Sequence, residues 1–364
     1  QYIFGDGGNT ALGLFPANTV NRDLKWETST KLNLAVDFEI FKGRIGGSVD
    51  VYDEDTKDLI LNKTISSISG FERLLTNIGS TNNRGVEVTL NTVNINSGKF
   101  RWASNLSFST NRNKIVSLGN PDVNKDGRED DDIASGWFIG KPIQSFYDFV
   151  FDGIYQQGDP VRTAPPNQRL TPGDVVLRNL NGDSVITAAG DRDLIGQLQP
   201  KQVWGLTNNF SYGDLSLAMT VTAMTGWIAP HASFDPKISY GGGTTSTVLE
   251  DNGYWTPENK STTRPRLRYP NTLSHSFYES RDFLRLQSVS LGYELKNVLA
   301  RMNINVPAAR FYVSGRNLVT FTKWPGWDPE NVQIGYETSR EKYQSYNNNF
   351  PMARSIVVGL NMSF

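Results

Sequence analysis

The stretch DVNKDG, at 122–127, has the residue types and spacing of a calcium-binding loop. Asp122, Asn124 and Asp126 stand at alternate positions before a glycine, and oxygens at positions 1, 3 and 5 of such a loop converge on a hard cation. The acidic run 129–132 could supply a later carboxylate, although position 8 carries Glu129 instead of an apolar anchor. The spacing therefore predicts a calcium site, and a solvated acidic loop without metal is the alternative.

No arrangement of residues indicates an enzyme. The chain has no cysteine and two histidines, His231 and His275, which lie in a predicted loop where an ordinary histidine is commoner than a general base. Glycine clusters such as GDGG lack a following helix with Lys and Ser or Thr, so they indicate loops and not a phosphate cradle. We therefore expect a protein without catalytic residues and, apart from calcium, without a cofactor.

Aromatic residues stand out in the long polar loops. Such rings could stack on sugars or contact a protein partner, and local loop packing is the alternative. The residues that carry this prediction are Trp137, Phe138, Trp255, Trp324 and Trp327.

Composition limits the classes of partner. The formal net charge of the 364 residues is −1. A nucleic-acid binder usually carries a basic surplus, so we expect no nucleic-acid partner. No stretch reaches the roughly 18 apolar residues of a membrane-spanning helix. Strands of a transmembrane barrel carry no such run, because their residues alternate between lipid and lumen, so a membrane location stays open.

Apolar and polar residues alternate with a period of two along most of the chain, which is the pattern of β-strands. Near the end of the chain, for example, Ile356, Val358 and Leu360 alternate with other residues that are mostly small or polar. The pattern predicts an all-β protein with nine long strands, near 25–41, 44–54, 83–94, 99–116, 202–212, 214–227, 279–295, 309–320 and 353–364.

The connections between these strands alternate between tight turns and long polar loops. The long ones fall at about 55–82, 117–200, 228–276 and 321–352. Short periplasmic turns and long extracellular loops are typical of an outer-membrane β-barrel. In this interpretation the apolar face of each strand meets lipid and the small polar face lines a wet lumen. A soluble β-sandwich with its apolar faces packed together is the alternative.

The number of predicted strands is odd, and an odd number does not close the even-stranded barrel usual in bacterial outer membranes. We therefore expect this chain to be part of a larger barrel, with the earlier strands outside this sequence or on another chain.

Seven stretches carry a pattern more specific than alternation. They are NRDLKWETSTKLNLAVDFEIFKGRIGGSVDVYDEDTKDLI (21–60), NNRGVEVTL (82–90), GKPIQSFYDFVFDGIYQ (140–156), YWTPENKSTTRPRL (254–267), DFLRLQSVSLGYEL (282–295), YVSGRNLVTFTKWPGWDPE (312–330) and the last strand. In this order they resemble the SusC/RagA family of TonB-dependent outer-membrane transporters.

The resemblance covers nearly the whole chain and has consequences for its domain organisation. It implies that residues 1–364 are the C-terminal portion of one 22-stranded barrel domain, with 117–200 as a large extracellular insert. It also implies that the plug domain and the TonB box lie outside this sequence. Phe364 then corresponds to the aromatic end that the barrel-assembly machinery recognises.

The resemblance also implies a function. We expect an importer of oligosaccharides or peptides in the outer membrane of a Gram-negative bacterium of the Bacteroidetes type, with a SusD-like lipoprotein on the long loops and TonB acting on the plug. Within it, 179–196 resembles a family segment that implies Asn179, Asn181, Asp183 and Asp191 as further calcium ligands. Two alternatives stay open, namely a plug-less barrel in secretion or surface display and a soluble carbohydrate-binding β-sandwich.

Overall fold

The computed structural model describes most of the chain. The described residues are 2–4, 11–13, 20–65, 68, 70–71, 73–160, 163–164, 168–183, 185–230, 253–267, 269–304, 306–326, 328–330, 333–336, 343–346 and 352–363. Trp327 and Phe364, which the sequence analysis singled out, lie outside this set.

The described residues form strands and a short helix. In chain order the first strands are β1 (Tyr2–Phe4), β2 (Ala11–Gly13), β3 (Thr28–Ile40), β4 (Ile45–Lys57), β5 (Ile60–Thr64), β6 (Arg73–Asn77), β7 (Ser80–Ser97), β8 (Phe100–Ser117), β9 (Ser145–Phe149), β10 (Phe151–Ile154), β11 (Thr163–Ala164) and β12 (Gln168–Arg169). They are followed by β13 (Val175–Leu177), β14 (Arg192–Gln197), β15 (Gln202–Tyr212), β16 (Leu215–Thr225), β17 (Ile228–Pro230), β18 (Tyr278–Ser280), β19 (Phe283–Glu294), helix α1 (Lys296–Arg301), β20 (Ala308–Thr322), β21 (Gln333–Tyr336), β22 (Tyr343–Tyr346) and β23 (Ser355–Ser363). Among the described residues no helix has the length and apolar character needed to cross a membrane.

Nine long strands form one sheet. Its order is β23-β20-β19-β16-β15-β8-β7-β4-β3, so each of these strands lies beside the long strand that precedes or follows it in the sequence. Every neighbouring pair from β8 to β23 is antiparallel. The nine strands predicted from alternation are confirmed, and their ends differ from the prediction by no more than four residues.

One face of this sheet is apolar and exposed. Leu217, Leu291 and Val313 lie directly opposite one another on neighbouring strands, and Leu291 and Ile356 are 45% and 74% exposed. A lipid-facing sheet presents such a face, whereas a sandwich buries these residues between two sheets. The alternative of a soluble β-sandwich is therefore wrong, because the apolar residues of the described sheet do not gather in a dry centre.

Aromatic rings lie at two levels of the apolar face. Phe108 and Trp204 are opposite each other on β8 and β15, with ring centroids 4.1 Å apart. Nearer the tight turns, Trp102 and Phe210 stack at 5.6 Å. Leu206 and Leu106 lie opposite each other between the two levels, and two levels of rings are what the two interfaces of a bilayer favour.

The tight turns between strands of this sheet depend on glycine at two positions. Gly98 joins β7 to β8 and Gly213 joins β15 to β16, and both have a φ of +57°. Lys99 and Asp214, the second residues of these two-residue turns, do not have positive φ. Positive φ at the first central residue alone defines a type II′ turn, and a side chain at that position would strain it. These turns set the register that keeps the apolar residues of neighbouring strands on one face.

The long loops contain short strand pairs that the sequence analysis did not predict. The pairs are β5 with β6, β9 with β14, β10 with β13, β11 with β12, β17 with β18 and β21 with β22. Strands of two to six residues are too short for alternation to distinguish them from loop.

The chain divides into two compact units. The first consists of Gln1–Leu34, Val51–Gly85 and Arg112–Ile143, and the second of Ala35–Asp50, Val86–Asn111 and Gln144–Phe364. In the first unit, Asn82 Nδ2 donates a hydrogen bond of 2.5 Å to Asp53 Oδ1, and Arg84 forms an ion pair of 2.8 Å with the same carboxylate. In the second unit, the main buried hydrophobic cluster is formed by loop residues and the short strands β10 and β13.

The two faces of β19 predict opposite responses to charge. Leu291→Arg should lower the free energy of unfolding by about 2–4 kcal/mol, because it puts a cation into the middle of the lipid-facing surface. Ser290→Arg, one residue away on the polar face, should change it by about 0.5 kcal/mol or less. Urea unfolding of the native protein in lipid vesicles measures both values. Equal losses in the two variants would contradict the assignment of faces.

Candidate functional site

The carboxylate of Glu129 binds the start of the loop between β8 and β9. It accepts hydrogen bonds from the N–H groups of Leu118 and Gly119 at 2.8 and 3.0 Å, and from the Ser117 hydroxyl at 2.8 Å. Burial by itself raises the pKa of Glu129, but these three hydrogen bonds outweigh it and hold the pKa below its ordinary value. Glu129 therefore ties the middle of this loop to its beginning, just after β8.

The three residues of the first predicted calcium loop lie together in one exposed turn. Oδ1 of Asp122 and Oδ1 of Asn124 both accept the N–H of Asp126, at 3.1 and 2.9 Å, so these two oxygens converge. The other carboxylate oxygen of Asp122 accepts the N–H of Gly127, and Asp126 Oδ1 accepts that of Arg128. The loop thus gathers the predicted ligands, and backbone N–H groups are their partners.

The residues of the second predicted calcium loop have different roles. Oδ1 of Asn179, Asn181 and Asp183 each accepts an N–H two or three residues further along the chain, which is the geometry of successive Asx turns. Asp191 is fully buried and binds the N–H groups of Leu180 and Thr187 at 2.8 and 2.7 Å. Both Asp191 oxygens therefore close the loop, and a cation would compete with backbone donors there.

A larger acidic cluster is absent from the described ranges. Within them, no three Asp, Glu, His or Cys side chains are placed to share a metal ion. The carboxylates that follow Glu129 are engaged by the backbone, since Asp130, Asp131 and Asp132 accept N–H groups of Val123, Ile139 and Ser135. Calcium binding by either loop stays a prediction, and the converging oxygens favour the first loop.

In the second unit, the loops form a hydrophobic core of their own. The buried residues of this loop core are Ile154, Val175, Trp255, Tyr269 and Phe277, and Phe151 and Leu177 pack against it. The Trp255 indole donates to Gln156 Oε1 at 2.8 Å, and Arg266 forms an ion pair of 2.8 Å with the buried Asp174. The core therefore joins the segment after β9 to the segment around 255–277.

The loop aromatics have mainly a packing role. Phe138, Trp255 and Trp324 are buried, which favours the packing alternative, and contact of these rings with sugars or a partner stays a prediction. Trp137 is half-buried, and its main chain pairs with that of Asp132. An aromatic residue in a Gly- and Pro-rich loop gives no sequence signal of its burial, because the loop core forms only when distant segments meet.

Asp148, which was not predicted from the sequence, links two loop segments. Its carboxylate is buried and accepts the N–H of Ser276 at 2.9 Å and the hydroxyl of Tyr278 at 3.2 Å. The acidic residue within the apolar stretch SFYDF was the available signal, because a buried carboxylate needs hydrogen-bond donors.

A second carboxylate of this region has an environment that disfavours its charge. Glu279 lies on β18, opposite the fully buried Ala229 of β17. Burial raises the pKa of Glu279, and the positive charge of Arg264 opposes this only in part.

Comparison with known proteins gives one family. The model of the family described as "TonB dependent receptor-like, beta-barrel" matches residues 2–168. TonB-dependent receptor P3 of Formosa agariphila is 32% identical over 98% of this chain and 36% of its own length. TonB-dependent receptor SusC of Bacteroides thetaiotaomicron is 25% identical over 100% of this chain and 34% of its own length.

A solved structure agrees with these relatives. The structure of the RagAB peptide transporter matches with a TM-score of 0.70 and 25% identity, covering 100% of this chain and 38% of that chain. The chain therefore spans little more than a third of the length of the proteins that it resembles.

The raised pKa of Glu279 predicts a pH effect on the loops. A folded-state pKa above the unfolded value favours folding of the protonated form, so this stabilisation is lost as the pH rises through the folded pKa. Glu279→Gln should therefore slow hydrogen exchange of residues 276–280 by a few-fold at about pH 7, with a smaller effect toward about pH 4.3, the ordinary pKa of a Glu carboxyl. Glu258→Gln, in an exposed position, is the control. Faster exchange in Glu279→Gln at neutral pH would contradict the prediction.

Proposed function

Because the chain belongs to the TonB-dependent receptor β-barrel family, we propose that it is part of the barrel of a SusC-like importer in the outer membrane of a Gram-negative, Bacteroidetes-type bacterium. The importer takes up oligosaccharides or peptides, draws energy from TonB and works with a SusD-like lipoprotein. The named relatives support an importer that depends on TonB, since one is the TonB-dependent receptor SusC and another similar protein is a peptide transporter.

The observation that carries the proposal is the two-faced sheet. Its apolar face is exposed or half-buried along nine strands, and its opposite face bears small polar residues such as Thr207, Thr220 and Ser288, which lie side by side on β15, β16 and β19. A sheet with one apolar face and one face of hydrogen-bonding side chains separates lipid from an aqueous passage. Cargo that is rich in hydroxyl or amide groups can pass along such a surface.

The folded loops support the second part of the proposal, a protein partner. The loop core and the buried carboxylates Asp148 and Asp174 give the loops of the second unit a defined shape. Preformed loops lose less conformational entropy on binding than flexible ones. We therefore assign partner docking and cargo capture to the ends of the strands opposite the tight turns.

Calcium belongs to this proposal only for the loop 122–127. Support comes from the two oxygens of Asp122 and Asn124 that converge within 3.1 Å of one nitrogen. Oxygen ligands of this kind suit a hard cation. The ion would stiffen the loop without taking part in transport.

Energy-dependent uptake tests the importer proposal. A strain that lacks the gene for this chain should lose growth on a class of oligosaccharides or peptides that exceed porin size, and loss of TonB should have the same effect. Uptake of a monosaccharide is the control. A tagged version of the protein should also co-purify with a lipoprotein from detergent-solubilised membranes.

The plug-less barrel in secretion or display makes the opposite prediction. Uptake would then be unaffected by loss of TonB, while export or surface display of a protein would fail in the deletion strain. That result would replace the importer proposal.

Terbium luminescence tests the calcium proposal. The native protein should sensitise bound Tb³⁺, calcium should displace the signal, and Asp122→Asn/Asp126→Asn should abolish it because both anionic ligands of the loop are lost. Glu258→Gln is a matched exposed variant that should leave the signal unchanged. A signal that persists in the double variant would place any cation elsewhere.

A further inference from the structure

A fully buried arginine lies on the polar face of the sheet. Arg285 of β19 is opposite Thr222 on one side and Thr320 on the other, and its side chain is 0% exposed. Its guanidinium donates to both oxygens of Asp328 at 2.9 and 2.7 Å, to Glu330 Oε2 at 2.7 Å and to Thr320 Oγ1 at 3.0 Å. The N–H donors of the guanidinium therefore have acceptors on several sides, and most of these acceptors belong to the segment that follows β20.

A second arginine holds the same segment by its backbone. Arg281 precedes β19 and is also buried. It donates to the carbonyl oxygens of Pro329 at 2.7 Å and Glu330 at 3.3 Å, and its guanidinium lies 3.7 Å from the ring centre of Trp227. Burial lowers the pKa of Arg281 to about 10, against the opposing effect of Asp328 and Glu330, so it stays charged at neutral pH.

The buried charges of this arrangement balance one another. Two cations, Arg281 and Arg285, meet two anions, Asp328 and Glu330, and Pro329 between the anions is itself fully buried. Removal of one member of a buried pair leaves an uncompensated charge, which is far more costly than the pair itself. We call Arg281, Arg285 and residues 328–330 the arginine clamp.

The position of the clamp gives it a functional consequence. The chain leaves β20 at Thr322, and by residues 328–330 it lies on the polar side of the sheet, against Arg285. On the proposed function, this side is the wall of the passage. The clamped segment therefore covers part of the wall near the ends of β19 and β20.

We propose that Arg281 and Arg285 are positioning residues that seat Asp328–Glu330 on the inner wall of the passage, so that cargo meets this segment in one fixed conformation. The proposal rests on the proposed function for its second half only. Its first half, that the arginines seat the segment, is measurable without any transport.

Chemical labelling tests the seating. The chain has no cysteine, so Pro329→Cys places a single thiol in the clamp and keeps the carbonyl that Arg281 binds. An impermeant maleimide should label it slowly in the native background. Adding Arg285→Met should speed labelling by roughly tenfold or more, because labelling follows the population of the open segment. Glu258→Cys, at an exposed position, should label at the same rate in both backgrounds.

Two further variants separate a seated segment from a failure to fold. Arg310→Met removes an inner-face arginine of β20 that is 45% exposed and lies 3.6 Å from Glu294, and it should leave labelling of Pro329→Cys unchanged. Arg285→Met/Asp328→Leu removes both buried charges, so the protein should fold while labelling stays fast. Labelling that remains slow in either Arg285 variant would overturn the proposal.

Uptake in intact cells tests the positioning. Arg285→Met/Asp328→Leu should raise the half-saturation concentration for cargo several-fold and change the maximal rate little, while Arg310→Met should change neither. Faster labelling with unchanged half-saturation would keep the seating and reject its role in cargo capture. If the native protein transports nothing, the importer proposal fails, and the labelling result still decides the seating.

Discussion

A backbone N–H or C=O group without a partner in hydrocarbon costs several kcal/mol, and this constraint shapes the whole sheet. The five pairings from β8 to β23 are ladders of nine to eleven residue pairs, with irregularities at few positions. Because the backbone hydrogen bonds are made within the sheet, the side chains of its two faces can differ in polarity. The apolar side can then meet lipid without a core behind it.

The same constraint explains why polar residues on the apolar face bind one another. Asn208 and Ser104 lie opposite each other between the two aromatic levels. Asn208 Oδ1 accepts hydrogen bonds from the Ser104 hydroxyl at 2.6 Å and the Trp102 indole at 2.9 Å, and Asn94 donates to Ser104 Oγ at 2.6 Å. A polar group in hydrocarbon is tolerable when its partners are adjacent, so this network does not interrupt the lipid-facing surface.

The sheet could be predicted from the sequence because alternation is a local property. The structure of the loops could not, because it depends on residues that are far apart in the chain. Each long strand repeats its pattern over nine or more residues, which is enough to identify strand and face without tertiary information. The calcium loop was likewise visible as a spacing, and the structure brings Asp122, Asn124 and Asp126 together. In contrast, Asp148 meets Ser276 across more than a hundred residues, and no local pattern predicts such a pairing.

The arginine clamp could be predicted from the sequence only in part. Arg285 occupies a polar-face position of β19, where the sequence predicts a wetted side chain, yet it is the largest fully buried residue in the part of the chain that the structure describes. A lumen-facing arginine can be buried only if another segment covers it and supplies anions, because an isolated buried charge is not tolerated. The segment 328–330 does both, with its two carboxylates and the proline between them. A charged residue at an inner-wall position of a wide barrel therefore indicates either contact with water or a covering segment of opposite charge, and the acidic pair that flanks Pro329 is what distinguishes the second case here.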